Sequence, residues 1–317
     1  MKIKINYPLL LNVLLVASVF MLSGCANWKH QVFEMAINHE RDRANLTVKT
    51  ITVNNMPITL LFTPMDKSKE TMVLLHGFAA NKEGWVRYAA EVTDQYNVIA
   101  VDLPGHGESI KDFSLNYRVA DQVGYLDLIV QELNISRFHL AGNSMGGAIT
   151  AMYSATFPDK VITAVLFNPA GIHDHESVLA KLLKKGENPL IVENAEDFDR
   201  LMEFGLEEKP FIPWPITEIL AQQALANKEI NHKIFNDIKS ENGTAFKQKL
   251  TTIKAPTLIL WGTEDRVINV DNSALFEKLI PNAQKIIFED IGHAPMIEIP
   301  EKSANHVKTF IAGTKGA

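Results

Sequence analysis

The sequence predicts an α/β fold: a mostly parallel central sheet flanked by helices, with a helical insertion before the last two strands. Three observations carry that expectation. Short apolar runs, such as Thr71–Leu75, Asn97–Val101 and Thr257–Trp261, have the length of strands buried on both faces. They alternate with stretches of helical period, of which Tyr117–Leu133 is the longest, and such alternation implies right-handed parallel crossovers. The runs end in glycine-rich clusters that carry reactive side chains: His76-Gly77-Phe78, Gly142-Asn143-Ser144-Met145-Gly146 and Gly292-His293. Loops at strand C-termini line the site in open parallel sheets.

The chain starts with basic Met1-Lys2-Ile3-Lys4, followed by a largely apolar stretch from Leu9 to Leu22 broken by Asn12 and Ser18. This is the n-region and h-region pattern of a secretory signal, and it predicts a signal peptide over residues 1–24. The stretch is short for a membrane span, which needs about 20 apolar residues. Leu22-Ser23-Gly24-Cys25 resembles the bacterial lipobox, and the chain has 1 cysteine, at the position that carries lipid in such signals. The resemblance implies a lipid-anchored protein of the bacterial envelope. Ala26 after that cysteine implies the outer membrane; an uncleaved anchor and a secreted form are the alternatives. Residues 25–45 read as a tether. Trp28, Val32, Met35 and Ala36 recur there at helical spacing, so an amphipathic helix competes with an irregular linker.

Leu46–Val53 alternates as a half-buried strand does, and Ile58–Phe62 is its hairpin partner across Asn54-Asn55. After Thr71–Leu75, helical pattern runs from about Glu83 to Asp94. Asn97–Val101 and Tyr117–Leu133 follow as strand and helix. Phe138–Ala141 is the strand leading into Ser144, and Ile162–Phe167 is another. Residues 46–170 and 251–317 thus supply the core, closed by strands Thr257–Trp261 and Lys285–Phe288. Residues 171–250 interrupt the alternation. A structureless loop of that length is improbable, so a helical cap is expected. Leu179, Phe198, Phe211, Trp214 and Ile219 are among its apolar residues at helical intervals, and Pro210, Pro213 and Pro215 mark a break. An insertion at this point is expected to emerge over Ser144, where a helical cap would exclude water and present an apolar wall.

Gly142-Asn143-Ser144-Met145-Gly146 reads G-x-S-x-G between a strand and a helix, the context of a nucleophile elbow. A serine at such a turn is lifted clear of the sheet and set at a helix N-terminus, where free N–H groups stabilise negative charge. The oxyanion donors of such an arrangement are the N–H after the nucleophile, here Met145, and one from the loop after the third strand, here Phe78. His76 in that loop reads as a hydrogen-bonding brace rather than a base. A serine hydroxyl needs a base. Of the 10 histidines, His293 falls in a loop after the final strand and downstream of an acid, whereas His306 lies in the C-terminal helical pattern. Asp265 and Glu264 are the candidate acids.

His76-Gly77-Phe78, Asp102-Leu103-Pro104-Gly105-His106-Gly107, Gly142–Gly147, Trp261–Ile268 and Ile291-Gly292-His293-Ala294-Pro295-Met296 together resemble the α/β-hydrolase superfamily. With Asn143, Met145, Asn188-Pro189-Leu190-Ile191 and the His-Ala-Pro-Met segment, the chain is similar to Psychrobacter and Moraxella lipases and to monoacylglycerol lipases. The resemblance covers nearly everything after Leu46. It implies the α/β-hydrolase fold and a Ser144, Asp265, His293 triad, the family's G-x-x-D spacing from Gly262 choosing Asp265 over Glu264. In some relatives the acid follows the strand before the cap, but here Asn168 occupies that place. The implied activity is a serine ester hydrolase, a lipase or carboxylesterase, on acyl esters such as acylglycerols. A carbon–carbon bond hydrolase and a perhydrolase share these residues. A catalytically silent envelope lipoprotein that binds acyl ligands is the rival of another class.

Composition excludes other roles. Hydrophobic residues make up 46% of 317, too many for a disordered chain. The net charge of -6, from 31 basic and 37 acidic residues with no basic stripe, argues against nucleic acid as a partner. One cysteine precludes an intrachain disulfide and a cysteine zinc cluster. His173-Asp174-His175-Glu176 has metal-like spacing, but adjacent residues on one segment rarely converge on an ion, and the chemistry needs none. No cofactor, metal or obligate protein partner is expected; the partners are an acyl ester or lipid substrate and a membrane reached through Cys25.

Overall fold

The computed structural model describes residues 28–239 and 243–315; the signal sequence, the lipobox and Cys25 lie outside the described residues. The strands are β1 (Thr47–Val53), β2 (Met56–Phe62), β3 (Thr71–Leu75), β4 (Asn97–Val101), β5 (Phe138–Asn143), β6 (Val161–Phe167), β7 (Thr257–Gly262) and β8 (Ala283–Phe288). They form one sheet of 8 strands in the order β1-β2-β4-β3-β5-β6-β7-β8. β1 and β2 pair antiparallel through the Asn54-Asn55 turn, whose φ values of 46° and 64° are those of a tight hairpin. β2 also runs antiparallel to β4, and every later pairing is parallel.

Strand order reverses between β3 and β5, which lie side by side with Leu75 opposite Gly142. A crevice opens at such a switch point, beyond the strand C-termini. The loops after these two strands carry His76-Gly77-Phe78 and Ser144.

Both faces of the sheet are covered, so strand residues alternate between two cores. Val73 and Leu75 join one core with Leu126 and Ile149, from helices α3 (Val119–Glu132) and α4 (Met145–Thr156). Met72 and Leu74 join the other with Trp85, Tyr88, Val307 and Ile311. That second side is built by a 3₁₀ turn (Lys82–Trp85), α2 (Val86–Ala90) and the C-terminal helix Pro300–Thr314. The helix expected over Glu83–Asp94 keeps its period, with Trp85, Tyr88, Ala89 and Val92 all buried. It is nevertheless split: Asn81 caps it by accepting from Glu83 N, and the first turn winds tightly.

Between β6 and β7 lie α5 (Val178–Lys184), α6 (Asp197–Gly205), α7 (Ile216–Ala226), α8 (Lys228–Lys239) and α9 (Gly243–Leu250). Leu179, Phe198 and Ile219 are buried as packing residues. Phe211 and Trp214, from the same set of apolar residues, are instead 84% and 61% exposed. They lie in the proline-rich stretch between α6 and α7, where no helix fixes an inward face. α10 (Asn272–Leu279) and α11 (Pro295–Glu298) precede the C-terminal helix, α12.

Residues 28–43 form helix α1. It turns Phe33 inward and leaves Met35 64% exposed. Its Arg41 guanidinium pairs with Glu83 through Nη2 at 2.6 Å and Nε at 3.1 Å, and its Lys29 ammonium meets Glu218 of α7 at 2.8 Å. Among the described residues, no helix is long and apolar enough to cross a membrane.

Candidate active site

Ser144 stands between β5 and α4 with φ 55° and ψ -115°, a conformation that costs an L-residue on the order of 1–3 kcal/mol. Its neighbours make the turn sterically feasible. A methyl group on Gly142 would sit 2.1 Å from Gly146 O, and one on Gly146 would sit 2.3 Å from Leu75 O. Only hydrogen fits at either position. Ser144 N donates to Phe167 O at 3.0 Å, which ties the turn to β6. Met145 is the first residue of α4, whose opening N–H groups have no acceptor within the helix. The loop after β3 runs alongside: a methyl on Gly77 would sit 3.2 Å from Ser144 Cβ. The peptide leading to Phe78 therefore passes beside the serine.

His293 and Asp265 meet. His293 Nδ1 lies 2.8 Å from Asp265 Oδ2, and the Asp265 side chain is fully buried. The carboxylate is fully engaged: Oδ1 accepts from Val267 N at 2.8 Å and Ile268 N at 2.9 Å, and Oδ2 accepts from Asn168 Nδ2 at 2.7 Å. A carboxylate oxygen can only accept from Nδ1, so the imidazole proton sits there and Nε2 keeps its lone pair. Glu264 is exposed, and its backbone N–H instead donates to Ile291 O at 2.8 Å. His306 packs on Phe288 with ring centroids 5.5 Å apart. Ser144 Oγ forms no hydrogen bond among the described residues, and the residue keeps 9% of its surface exposed.

Three side chains to which the sequence assigned no bracing role hold these loops together. Asn143 Nδ2 donates to His293 O at 2.9 Å, so the residue next to Ser144 grips the histidine backbone. Asn168, at the end of β6, donates both to Asp265 and to Gly292 O, the latter at 3.2 Å. Glu298 is the third. Its Oε2 accepts from Gly292 N, Glu207 N and Glu208 N, each at 2.9 Å, and its Oε1 accepts from Ala294 N at 3.1 Å. The inserted helices reach the same loop directly, His293 N donating to Gly205 O at 2.9 Å. Asn143 sits inside a recognisable motif and Asn168 at a strand end, but nothing in the sequence marks Glu298.

The loops after β3 and β4 are braced by buried polar groups. His76 Nε2 accepts from Leu103 N at 3.0 Å, so Nδ1 is the donor to Gly77 O at 2.7 Å. Burial pushes the His76 pKa below the ordinary histidine value and keeps the ring neutral, which suits a brace and not a proton shuttle. Beside it, the buried Lys82 ammonium meets Asp102 Oδ2 at 2.9 Å and Glu108 Oε2 at 2.6 Å. Burial alone would lower the lysine pKa, but Asp102, Glu108 and Glu83 together outweigh it and hold it above the usual value. In the His173–Glu176 segment, Asp174 pairs with Lys247 and Glu176 with Lys184, so both carboxylates have cationic partners.

Comparison with known proteins shows that residues 70–300 match the family model of the α/β hydrolase fold. The chain belongs to the α/β-hydrolase family. It is similar to Lipase 1 of Psychrobacter immobilis, 33% identical over 95% of this chain and 98% of that one. A human monoacylglycerol lipase is 28% identical over 77% of this chain and 76% of its own. Among solved structures, a membrane phospholipase A described as a bacterial virulence factor superposes with a TM-score of 0.90. It is 34% identical and covers 96% of this chain and 100% of its own. This α/β-hydrolase is a lipase-like enzyme.

Proposed function

We propose that this α/β-hydrolase is a lipid-anchored serine ester hydrolase that cleaves acyl esters of lipids through a covalent acyl-enzyme. The observation that carries the reading is the 2.8 Å contact of His293 Nδ1 with a buried Asp265, on a loop whose His293 carbonyl is held by Asn143, the residue before the strained Ser144 turn. Ser144 Oγ attacks the ester carbonyl as His293 Nε2 takes its proton. The N–H groups of Phe78 and Met145 receive the oxyanion, where fixed donors need no reorganisation. Collapse of the tetrahedral intermediate breaks the bond to the leaving alkoxide, which takes the proton from His293. Water then repeats the sequence on the acyl-enzyme and releases the carboxylic acid. Asp265 fixes the tautomer and stabilises the imidazolium.

Helices α5–α9 act as a cap that gives the acyl chain its apolar wall. Preference then rises with chain length until the wall ends, because each buried methylene contributes about 0.8 kcal/mol. Cys25 carries the lipid that keeps the enzyme in the cell envelope, at the outer membrane. The experiment is a hydrolysis panel of p-nitrophenyl esters of rising chain length with mono- and triacylglycerols, run beside fluorophosphonate labelling. Turnover and labelling should both vanish in Ser144→Ala. A wild-type protein that neither reacts with the probe nor turns over any ester would overturn the reading.

A further inference from the structure

Four large apolar side chains on one region of the surface have no partner role in the site described above. Trp28 and Met35, seven residues apart on α1 and so on one side of it, are 38% and 64% exposed. Trp214 and Phe211, in the stretch before α7, are 61% and 84% exposed. The two groups touch. The rings of Trp28 and Trp214 meet edge to face with centroids 5.5 Å apart, and Lys29 Nζ stands 5.3 Å from the Trp214 ring centroid. Lys29 also pairs with Glu218, which accepts from Trp214 Nε1 at 3.1 Å, so the patch is internally braced. Phe211 is three residues from Trp214, within about 11 Å along the chain.

We propose that Trp28, Met35, Phe211 and Trp214 form a bilayer-docking surface that seats the inserted helices against the lipid headgroup region. Three arguments choose a bilayer as the occupant. Trp28 follows Cys25 by three residues, and three residues span at most about 11 Å, so a lipid on Cys25 puts membrane within reach of this patch. Tryptophan, with an apolar body and a polar N–H, suits the interface between acyl chains and headgroups, and Lys29 suits their phosphates. Finally, the patch joins α1, which leads from the anchor, to α7, and so passes the position of the membrane to the cap. The proposal rests on the lipidation of Cys25 as its anchor.

The test uses the full-length protein purified from membranes and reconstituted into phosphatidylethanolamine–phosphatidylglycerol vesicles, with or without lipids brominated in the upper acyl chain. Trp85 and Trp261 are fully buried and serve as the unquenched background. Brominated lipid should quench wild-type tryptophan fluorescence, and Trp28→Phe with Trp214→Phe should remove that quenching. Phe211→Ser and Trp214→Ser should leave hydrolysis of a soluble ester unchanged and lower hydrolysis of a vesicle-embedded ester by about tenfold, the loss expected for one unburied aromatic. Lipidated protein that floats with vesicles yet is quenched no more than the double variant overturns the docking surface and leaves the anchor standing. Protein that lacks lipid by intact mass but still floats and is quenched does the reverse. Protein that lacks lipid and does not float overturns both. Self-association of the wild type that Phe211→Ser abolishes would make the patch an interface between copies, and would also overturn the proposal.

Discussion

Asn168 Nδ2 lies 2.7 Å from Asp265 Oδ2, the same oxygen that faces His293 Nδ1. The amide therefore fixes which lone pair of the carboxylate is left for the histidine. Asn168→Ala should lower kcat about tenfold, with the KM for a short ester little changed. Asn168→Asp sets a second carboxylate against Asp265, and the added negative charge favours imidazolium at His293. The acid limb of the kcat/KM profile should then move to higher pH. A profile that keeps its position while only thermal stability falls would show that Asn168 is merely structural.

The catalytic assignment makes a sharper prediction. Ser144→Ala and His293→Ala should each lower kcat by about 10⁴-fold or more, and the double variant should lose little beyond either. Asp265→Asn should be severe because it favours the wrong imidazole tautomer, while Glu264→Gln should be mild because that side chain is exposed. Steady-state kinetics on a p-nitrophenyl ester decide it. A crippled Glu264→Gln enzyme would reassign the acid.

Glu298 joins the His293 loop to the segment after α6 through four backbone N–H groups. Glu298→Ala leaves those donors to water and frees both segments. Stability should fall by about 1.5–3 kcal/mol, the usual range for a hydrogen bond to a charged group. kcat should fall as well, and Glu298→Gln should recover part of both losses. Denaturant unfolding read beside kcat checks this, and unchanged activity in Glu298→Ala would show that the loop holds itself.

Three buried histidines set a pH limit on stability. Burial lowers the pKa of His76, of His106 and of His139 below 6.5, most strongly for His106, where His76 also opposes a second charge. The unfolded chain protonates near pH 6.5, so between the folded values and about 6.5 it binds more protons than the native state. Their contribution is therefore complete above about pH 6.5 and is lost as pH falls, by at most about 1.4 kcal/mol per pH unit for each histidine. Melting curves between pH 8 and pH 5 should show Tm dropping on the acid side, and His106→Asn should flatten that slope. A slope identical to wild type would remove His106 from the account.

Much of this was legible in the sequence for a physical reason. Buried parallel strands write their length as apolar runs, so β3, β4, β6 and β7 stood near their observed limits. The Ser144 turn was visible because its sterics admit only hydrogen at Gly142 and Gly146. Asn54-Asn55 marked the hairpin because both residues must adopt positive φ. In each case the constraint is local, and the side chains that satisfy it are adjacent in the chain.

Other features depended on partners far away along the chain. Asn168 reads alone as an acid that is missing; only the approach of residue 265, 97 positions on, turns it into a donor to that acid. Glu298 acquires its role from residues 91 and 90 positions earlier. Helical period announced an apolar face of Trp28, Val32, Met35 and Ala36 on α1, whereas the folded chain buries Phe33 and leaves Met35 outside. Periodicity likewise placed Phe211 and Trp214 among the apolar residues at helical intervals, whereas the folded chain leaves both exposed, with Trp214 against Trp28. The sequence by itself thus determined the strands, the Ser144 turn and the chain order of Ser144, Asp265 and His293, because these follow from local sterics, burial and position along the chain. The tertiary structure alone decided which side chains hold those residues in place and which apolar groups stay uncovered, because both depend on what distant segments bring to the same surface.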